Sequence, residues 1–368
     1  MNVAGVYKPA NPNSSADLVA GRARHKTIVE SDVDRGAALL RGGGLVAFPT
    51  ETVYGLGASC FDQRAVARLF EAKERPRFDP LIVHLAEPSD VTRVARPLSD
   101  LAARLARRFW PGPLTLVLPK LEVVPDLVTA GLPTVAVRVP DHAMARELIR
   151  AAGVPVVAPS ANRFGRVSPT TAPHVLEQLD GQIDMVLDGG PCRIGIESTV
   201  VQVSDGLVRL LRPGGTTLEQ LEEEVGPVEL SAPTNSAGHQ GLPAPGMLPA
   251  HYAPRTRLLL LDSQAVGNQA ATAERLAARL SDASISRHRV GLLSLRPVAG
   301  MERCAAREVL SVSGDMRAAA AGFFAALRRL DAAGLDLIVA VPFPEAGLGR
   351  ALNDRLRRAA QAASSAGN

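Results

Sequence analysis

Cysteine is scarce: Cys60, Cys192 and Cys304 are the only three in 368 residues. Their odd number and wide spacing exclude a zinc ligand set or a disulfide framework, so three reduced thiols are expected. Aromatic residues make up 4%, so the cores must be built from Ala, Val and Leu. The same scarcity argues against a surface that stacks single-stranded bases. No apolar run approaches the ~20 residues that span a bilayer. The opening MNVAGVYKPANPNSS lacks a charged start followed by an apolar stretch, so no signal peptide is expected and the location implied is cytoplasmic. Also missing are a GxGxxG after a strand, a Walker A loop, an HExxH, a GxSxG elbow and the kinase motifs. A nucleotide, if bound, needs an unusual site. The formal charge of +4 suits small anions and is too weak to argue for nucleic acid by itself.

What is present is an alternation of strands and helices over a length that favours two domains. Ser31 or Asp32 can cap a helix closed by Gly42-Gly43-Gly44, and LVAF (45–48) follows as a strand. Asp62 caps a second helix ending near Lys73. Further strands read at 81–85, 114–118, 134–139, 155–158, 184–187, 198–203 and 207–211, with helices at 98–110 and after Asp141. The pattern predicts α/β: a twisted, mixed open sheet covered by helices. Polar clusters fall beside strand ends, where open α/β sheets hold ligands. Residues 231–256 turn to Pro, Gly and Ala and read as a linker. Beyond it strands at 257–261, 290–295 and 337–341 alternate with helices at 269–281, 315–330 and 350–363, a smaller Rossmann-like parallel domain. The predicted boundaries are an arm at 1–30, a first domain at 31–228, a linker or lid at 229–256 and a second domain at 257–368.

Four clusters carry polar chemistry. Pro49-Thr50-Glu51-Thr52-Val53-Tyr54-Gly55-Leu56-Gly57 sets hydroxyls after a buried strand. Lys73, Arg75 and Arg77 stand around two prolines, a stiffened loop that presents cations to a phosphate chain. A solvated helix C-terminus is the plainer reading, under which removing these charges costs no more than about 0.5 kcal/mol of stability. His84, inside an apolar strand, reads most simply as a satisfied core histidine. Ala158-Pro159-Ser160-Ala161-Asn162, with Ser168 beyond, offers small donors for phosphate oxygens. Glu197-Ser198-Thr199 and Arg212-Pro213-Gly214 form the fourth, Arg212 ending a strand.

Taken together, FPTETVYGLG, the KxR and PLIVH stretch, WPGPLTLVL, TVAVRVPDH, APSANRFGRVSPT, GIESTVV and LLRPGG resemble the YrdC-type threonylcarbamoyl-AMP synthases. PGMLPAHYAP and GLGRALNDRLRRAA resemble their long, two-domain form. The resemblance implies an L-threonylcarbamoyladenylate synthase, which joins L-threonine, bicarbonate and ATP, with Mg2+, and releases pyrophosphate. It implies Thr52, His84, Arg138, Ala158 and Ser198 for threonine. It implies Lys73, Arg75, Asp79, Thr134, Ser160, Asn162, Ser168, Arg212 and Tyr252 for ATP, with Lys73 and Arg75 as the catalytic pair. Asp79 stands where the family usually has Asn, and a carboxylate there repels a triphosphate unless a cation faces it. The product is destined for N6-threonylcarbamoyladenosine (t6A) at position 37 of tRNAs through downstream transfer proteins, with weak RNA binding an added expectation. Two rivals are a carbamoyltransferase-type maturation enzyme, which needs zinc modules these cysteines cannot supply, and a non-catalytic RNA-binding or ribosome-assembly module.

Overall fold

A computed structural model describes residues 26–231, 247–248, 250–262, 269–282, 285 and 289–365. Residues 1–25 of the expected arm, and residues 232–246 and Pro249 of the expected linker or lid, lie outside them. In chain order the first part runs β1 (Ile28–Glu30), α1 (Val33–Arg41), β2 (Val46–Phe48), β3 (Gly55–Ser59), α2 (Gln63–Lys73), β4 (Ile82–His84), α3 (Asp100–Phe109) and β5 (Leu114–Pro119). It continues through α4 (Asp126–Thr129), β6 (Thr134–Arg138), α5 (Ala143–Ala152), β7 (Val156–Val157), α6 (Ala172–Leu179) and β8 (Met185–Leu187). It closes with β9 (Thr199–Ser204), β10 (Leu207–Arg212), α7 (Leu218–Val225) and β11 (Glu229–Leu230).

These strands form one mixed sheet, ordered β1-β8-β2-β3-β7-β4-β6-β5-β9-β10-β11. β4 and β6 run parallel with His84 level with Arg138, while β5 and β7 run antiparallel to them. The α/β expectation holds, with three local differences. Ile28–Glu30 is a strand paired with β8, inside the arm expected at 1–30, and Glu229–Leu230 pairs with β10, inside the linker boundary drawn at 229 but ahead of the Pro/Gly/Ala stretch that begins at 231. GLGAS, for which no strand was expected, is β3: a Cβ on Gly57 would lie 2.9 Å from the Phe48 ring and 3.0 Å from Val46 O. Glycine is there for close strand packing. Helix α5 is capped by extended His142 rather than by Asp141, whose carboxylate faces Arg193 at 2.6 Å.

Helix starts follow their caps elsewhere. Asp32 accepts the Arg35 N–H, and Asp62 accepts those of Arg64 and Ala65. Helix α2 ends because Glu74 turns left-handed at φ 53°, and the Arg75 N–H then bonds back to Phe70 O at 3.0 Å. That turn folds the chain after Lys73 back toward the sheet.

The second part comprises β12 (Arg257–Leu260), α8 (Gln269–Ser281), β13 (Val290–Ser294), β14 (Ala306–Val309), α9 (Met316–Ala332), β15 (Leu337–Ala340) and α10 (Leu348–Ser365). Its sheet, β12-β15-β13-β14, is parallel throughout. β14 was not expected; its AREV sequence carries two charges and little apolar signal. The two parts share one apolar cluster, in which Val53, Val167 and Ile196 pack with Phe323, Phe324 and Leu352. Gly195, at φ +77°, sits under α9, where a Cβ would lie 2.5 Å from Ala320 O. Only glycine allows that approach. Among the described residues no helix is long and apolar enough to cross a membrane. Cys60, Cys192 and Cys304 are buried free thiols.

Candidate active site

A cavity of about 50 Å³ lies against the large sheet, closed on one side by His251 and Tyr252 of the linker. Ile82 and His84, alternate residues of β4, both line it. The cavity therefore runs along a sheet face, and strand ends alone do not make it. The 49–54 loop after β2 crosses that face, and β9 and β10 bring Ser198 and Arg212 to it.

One half of the wall is built on the sheet. Arg138 is 3% exposed. Its Nη1 donates to Thr52 Oγ1 at 2.9 Å and its Nε to Gly112 O at 3.2 Å. Its Nη2 lies 2.7 Å from Glu51 Oε2, a buried ion pair not aligned as a hydrogen bond. Thr52 is held in turn by Thr50 Oγ1 at 2.8 Å. Ser198 Oγ is 2.8 Å from Thr115 Oγ1, and Arg212 Nη2 donates to Ser198 O at 2.9 Å. His84 Nδ1 is 3.2 Å from Ile82 O; burial, then the nearby Arg138 charge, push its pKa down to about 3. The ring is neutral at physiological pH.

The other half is built on loops. Arg75 is buried: its Nη2 donates to Pro80 O at 2.9 Å, lies 2.8 Å from Asp79 Oδ2, and its guanidinium faces the Phe164 ring at 5.8 Å. Lys73, 1% exposed, donates to Ser160 O at 2.6 Å and Asn162 O at 2.5 Å. Burial and then the Arg75 charge hold its ammonium well below the usual lysine range. Lys73 and Arg75 are thus not solvated charges at a helix end. Both are desolvated: Arg75 is already paired with Asp79, whereas Lys73 leans on two carbonyls, and a buried charge without an anion is costly.

The segment around residues 247–254 folds back onto this half. Met247 joins Ile82, Ala136 and Leu211 in a small apolar cluster. Ala253 N donates to Gly165 O at 2.8 Å. Tyr252 is 1% exposed and left-handed at φ 63°, a conformation that surroundings must impose on a bulky residue. Its ring meets His251 at 4.1 Å, Phe324 at 5.9 Å and the Arg355 guanidinium at 5.0 Å.

Of the residues assigned from sequence, Thr52, Arg75, His84, Arg138, Ala158, Ser160, Ser198, Arg212 and Tyr252 line one cavity. Five do not. Lys73 and Asn162 lie behind the 160–162 loop, with the Asn162 Nδ2 spent on Arg163 O and Arg166 O. Ser168 donates to Glu197 Oε1 at 2.6 Å. Thr134 shares a face with Ala136 and Arg138 but sits at the far end of β6. Asp79 is fully buried and faces Arg75, so its carboxylate neutralises that arginine and does not meet the cavity.

Sequence reasoning missed Arg355. It is fully buried on α10, its Nε donating to Glu197 Oε2 at 3.0 Å and its Nη1 to Pro213 O at 2.9 Å. The second part thereby clamps Glu197, the Arg212 turn and Tyr252 together. Within NDRLRRAA the residue looks like one more solvated helix charge, and no local signal sets it apart. Glu51 was missed likewise. Among the described residues no three potential metal ligands cluster, and the carboxylates of Glu51, Asp79 and Glu197 each face an arginine.

The fold and this polar wall define a two-part α/β protein with a charged cavity under a linker segment. A family profile described as "Telomere recombination" matches residues 38–214, and one described as "Threonylcarbamoyl-AMP synthase, C-terminal domain" matches residues 216–361. The chain is 42% identical over 332 residues to a threonylcarbamoyl-AMP synthase of Bacillus subtilis, covering 90% of this chain and 93% of that one. It is 42% identical to the Pyrococcus abyssi protein of the same name, covering 90% and 95%. The crystal structure of P. abyssi Sua5 complexed with L-threonine superposes with a TM-score of 0.84 at 39% identity, covering 92% and 98% of the two chains. The chain belongs to the threonylcarbamoyl-AMP synthase family, in its long two-domain Sua5 form.

Proposed function

We propose that this protein makes threonylcarbamoyl-AMP from L-threonine, bicarbonate and ATP, and that the product serves t6A formation at position 37 of tRNAs. The observation that carries the reading is the convergence of Thr52, His84, Arg138, Ala158 and Ser198, 146 positions apart at their extremes, on one small cavity. In this reading Arg138 receives the threonine carboxylate, its charge held in place by Glu51. Thr52 and Ser198 offer hydroxyls, and the neutral His84 ring neither repels the amine nor protonates it.

The threonine amine attacks bicarbonate and water leaves, giving a carbamate. A carbamate oxygen then attacks the α-phosphorus of ATP, and pyrophosphate departs. Such a step needs alignment and charge neutralisation more than a protein nucleophile. Arg75, Lys73 and Arg212 supply buried positive charge for the phosphates. Lys73 turns from the Ser160 and Asn162 carbonyls toward a phosphate oxygen, and Asn162 and Ser168 support the loop walls. Asp79 serves Arg75. Thr134 is assigned to the outer rim. Because the nearby carboxylates face arginines, Mg2+ comes with the nucleotide as part of the substrate.

A cavity of about 50 Å³ is far below the roughly 300–1,000 Å³ of a small-molecule site, and so far less than a nucleotide needs. The segment carrying His251 and Tyr252 therefore acts as a lid that swings out for ATP and closes over it, excluding water from a labile carbamate. The test is a pyrophosphate-release assay with mass detection of the product. Release should need threonine, bicarbonate and ATP together. Release that persists without threonine or bicarbonate would refute the reading.

A further inference from the structure

A second, larger cleft of about 590 Å³ lies on the other side of the lid segment. Tyr252 lines the first cavity and the next residue, Ala253, lines the cleft. Four arginines from three separate stretches converge there: Arg163 and Arg166 from the loop after β7, Arg255 from the linker, and Arg328 from α9. Only Glu177 and Asp331 oppose them among the lining residues, leaving two net positive charges.

The four arginines are not equivalent. Arg328 is committed: its Nη1 pairs with Glu177 at 2.6 Å and its Nη2 donates to Val167 O at 2.6 Å. Arg163 makes a long, exposed pair with Glu74 at 3.6 Å. The exposed guanidiniums of Arg166 and Arg255 have no hydrogen-bond or ion-pair partner among the described residues. Asp331 makes no ion pair with either of them among the described residues; its Oδ1 accepts the Thr256 N–H at 2.7 Å, and its charge is already counted in the net of two. Like charges gathered in one concave wall repel each other, and a bound anion relieves that repulsion. A planar guanidinium fork matches phosphate oxygens two at a time. No aromatic ring lines the cleft, so nothing stacks a base and recognition falls to phosphate charge alone. The volume is that of a ligand site.

We propose that this cleft is a second anion site, separate from the catalytic cavity, which takes two adjacent phosphate groups through Arg166 and Arg255. Phosphates of that kind come from an RNA backbone or from a free polyphosphate. The inference stands apart from the catalytic reading.

The test compares the parent with an Arg166→Glu, Arg255→Glu double variant, using a short single-stranded RNA and inorganic pyrophosphate as probes. Expected for RNA is binding weakened at least tenfold, with a salt slope shallower by about 1.4, the value for two phosphates on a single strand. Expected for pyrophosphate is loss of a second binding equivalent while the catalytic one remains. An effect confined to RNA assigns the cleft to a backbone, and one confined to pyrophosphate assigns it to a free polyphosphate. Equal binding of both probes by parent and variant overturns the proposal. So does loss of threonine-dependent pyrophosphate release in a variant that melts like the parent, because the cleft would then not be separate.

Discussion

The two halves of the candidate cavity are held by different means. On the sheet side Arg138 is fixed by Glu51, Thr52 and Gly112 O, and Ser198 by Thr115 and Arg212. On the loop side the cations lean on carbonyls: Lys73 on Ser160 and Asn162, Arg75 on Pro80 as well as Asp79. A carbonyl is a partial charge that can be exchanged for a phosphate oxygen, whereas a buried carboxylate cannot be left behind cheaply. For Lys73 the difference suits the proposed site, in which the threonine half stays fixed and Lys73 exchanges its carbonyls for a phosphate oxygen; Arg75, paired with Asp79, is held as the sheet half is.

Arg138→Ala should expose that contrast most strongly. It strands Glu51 without its counter-charge, and loss of one partner from a buried pair costs about 3–5 kcal/mol. Lys73→Met leaves two carbonyls unsatisfied in place of a charge, a cost of about 1–3 kcal/mol that burying the apolar chain partly offsets. Denaturant unfolding should rank the two in that order. In kinetics the ranking turns into a split: Arg138→Ala raises the threonine requirement most, and Lys73→Met the ATP requirement. A Lys73 variant as unstable as the Arg138 variant would mean that the loop half is as fixed as the sheet half.

The sequence made the strands of the sheet half legible, for a geometric reason, while the assignment of His84 and Arg138 to a site came only through resemblance, as on the loop side. Short apolar runs such as LIVHL and TVAVRV keep their period as strands, so His84 and Arg138 fall level once β4 and β6 pair. The loop half was named residue by residue through resemblance, yet its state was misread. Lys73 follows the last apolar turn of α2 and looks solvated; the left-handed Glu74 and the returning 160–164 loop bury it. Arg355 and Glu51 were illegible because each acts across a sequence gap of 158 or 87 positions, with no periodicity to announce it.

Acid should loosen the sheet half before it touches the ion pairs. His84 is neutral in the fold, with a pKa near 3, against 6.5 when unfolded. The unfolded chain therefore binds the proton first, so this stability is fully present above pH 6.5 and falls as pH drops toward 3. The slope from one group reaches about 1.4 kcal/mol per pH unit. His174, pushed down to about 4 by burial and then by Arg328, adds a contribution of the same sign, as does His251 under burial and then Arg75. His84→Gln should flatten the curve between pH 6 and 4 by one group's share and leave the rest. An unchanged slope would show that His84 titrates alike in both states.

The smallest expected effect is the most informative about the lid. The Tyr252 ring is gripped by His251, Phe324 and Arg355, and no hydrogen bond of its hydroxyl is among these contacts. Tyr252→Phe keeps the ring, the burial and the cation–ring contact, so the ATP requirement should change by no more than about twofold, under 0.5 kcal/mol. Tyr252→Ala discards an aromatic whose deletion from a packed site costs about 3 kcal/mol, enough to shift closure by about a hundredfold. Protease cleavage near residues 247–254 should rise in the Ala variant and not in the Phe variant. If the Phe variant loses as much activity as the Ala variant while its segment stays protected, closure survives without function. The hydroxyl, not the ring, then does the work, and the lid belongs with the fixed half of the site.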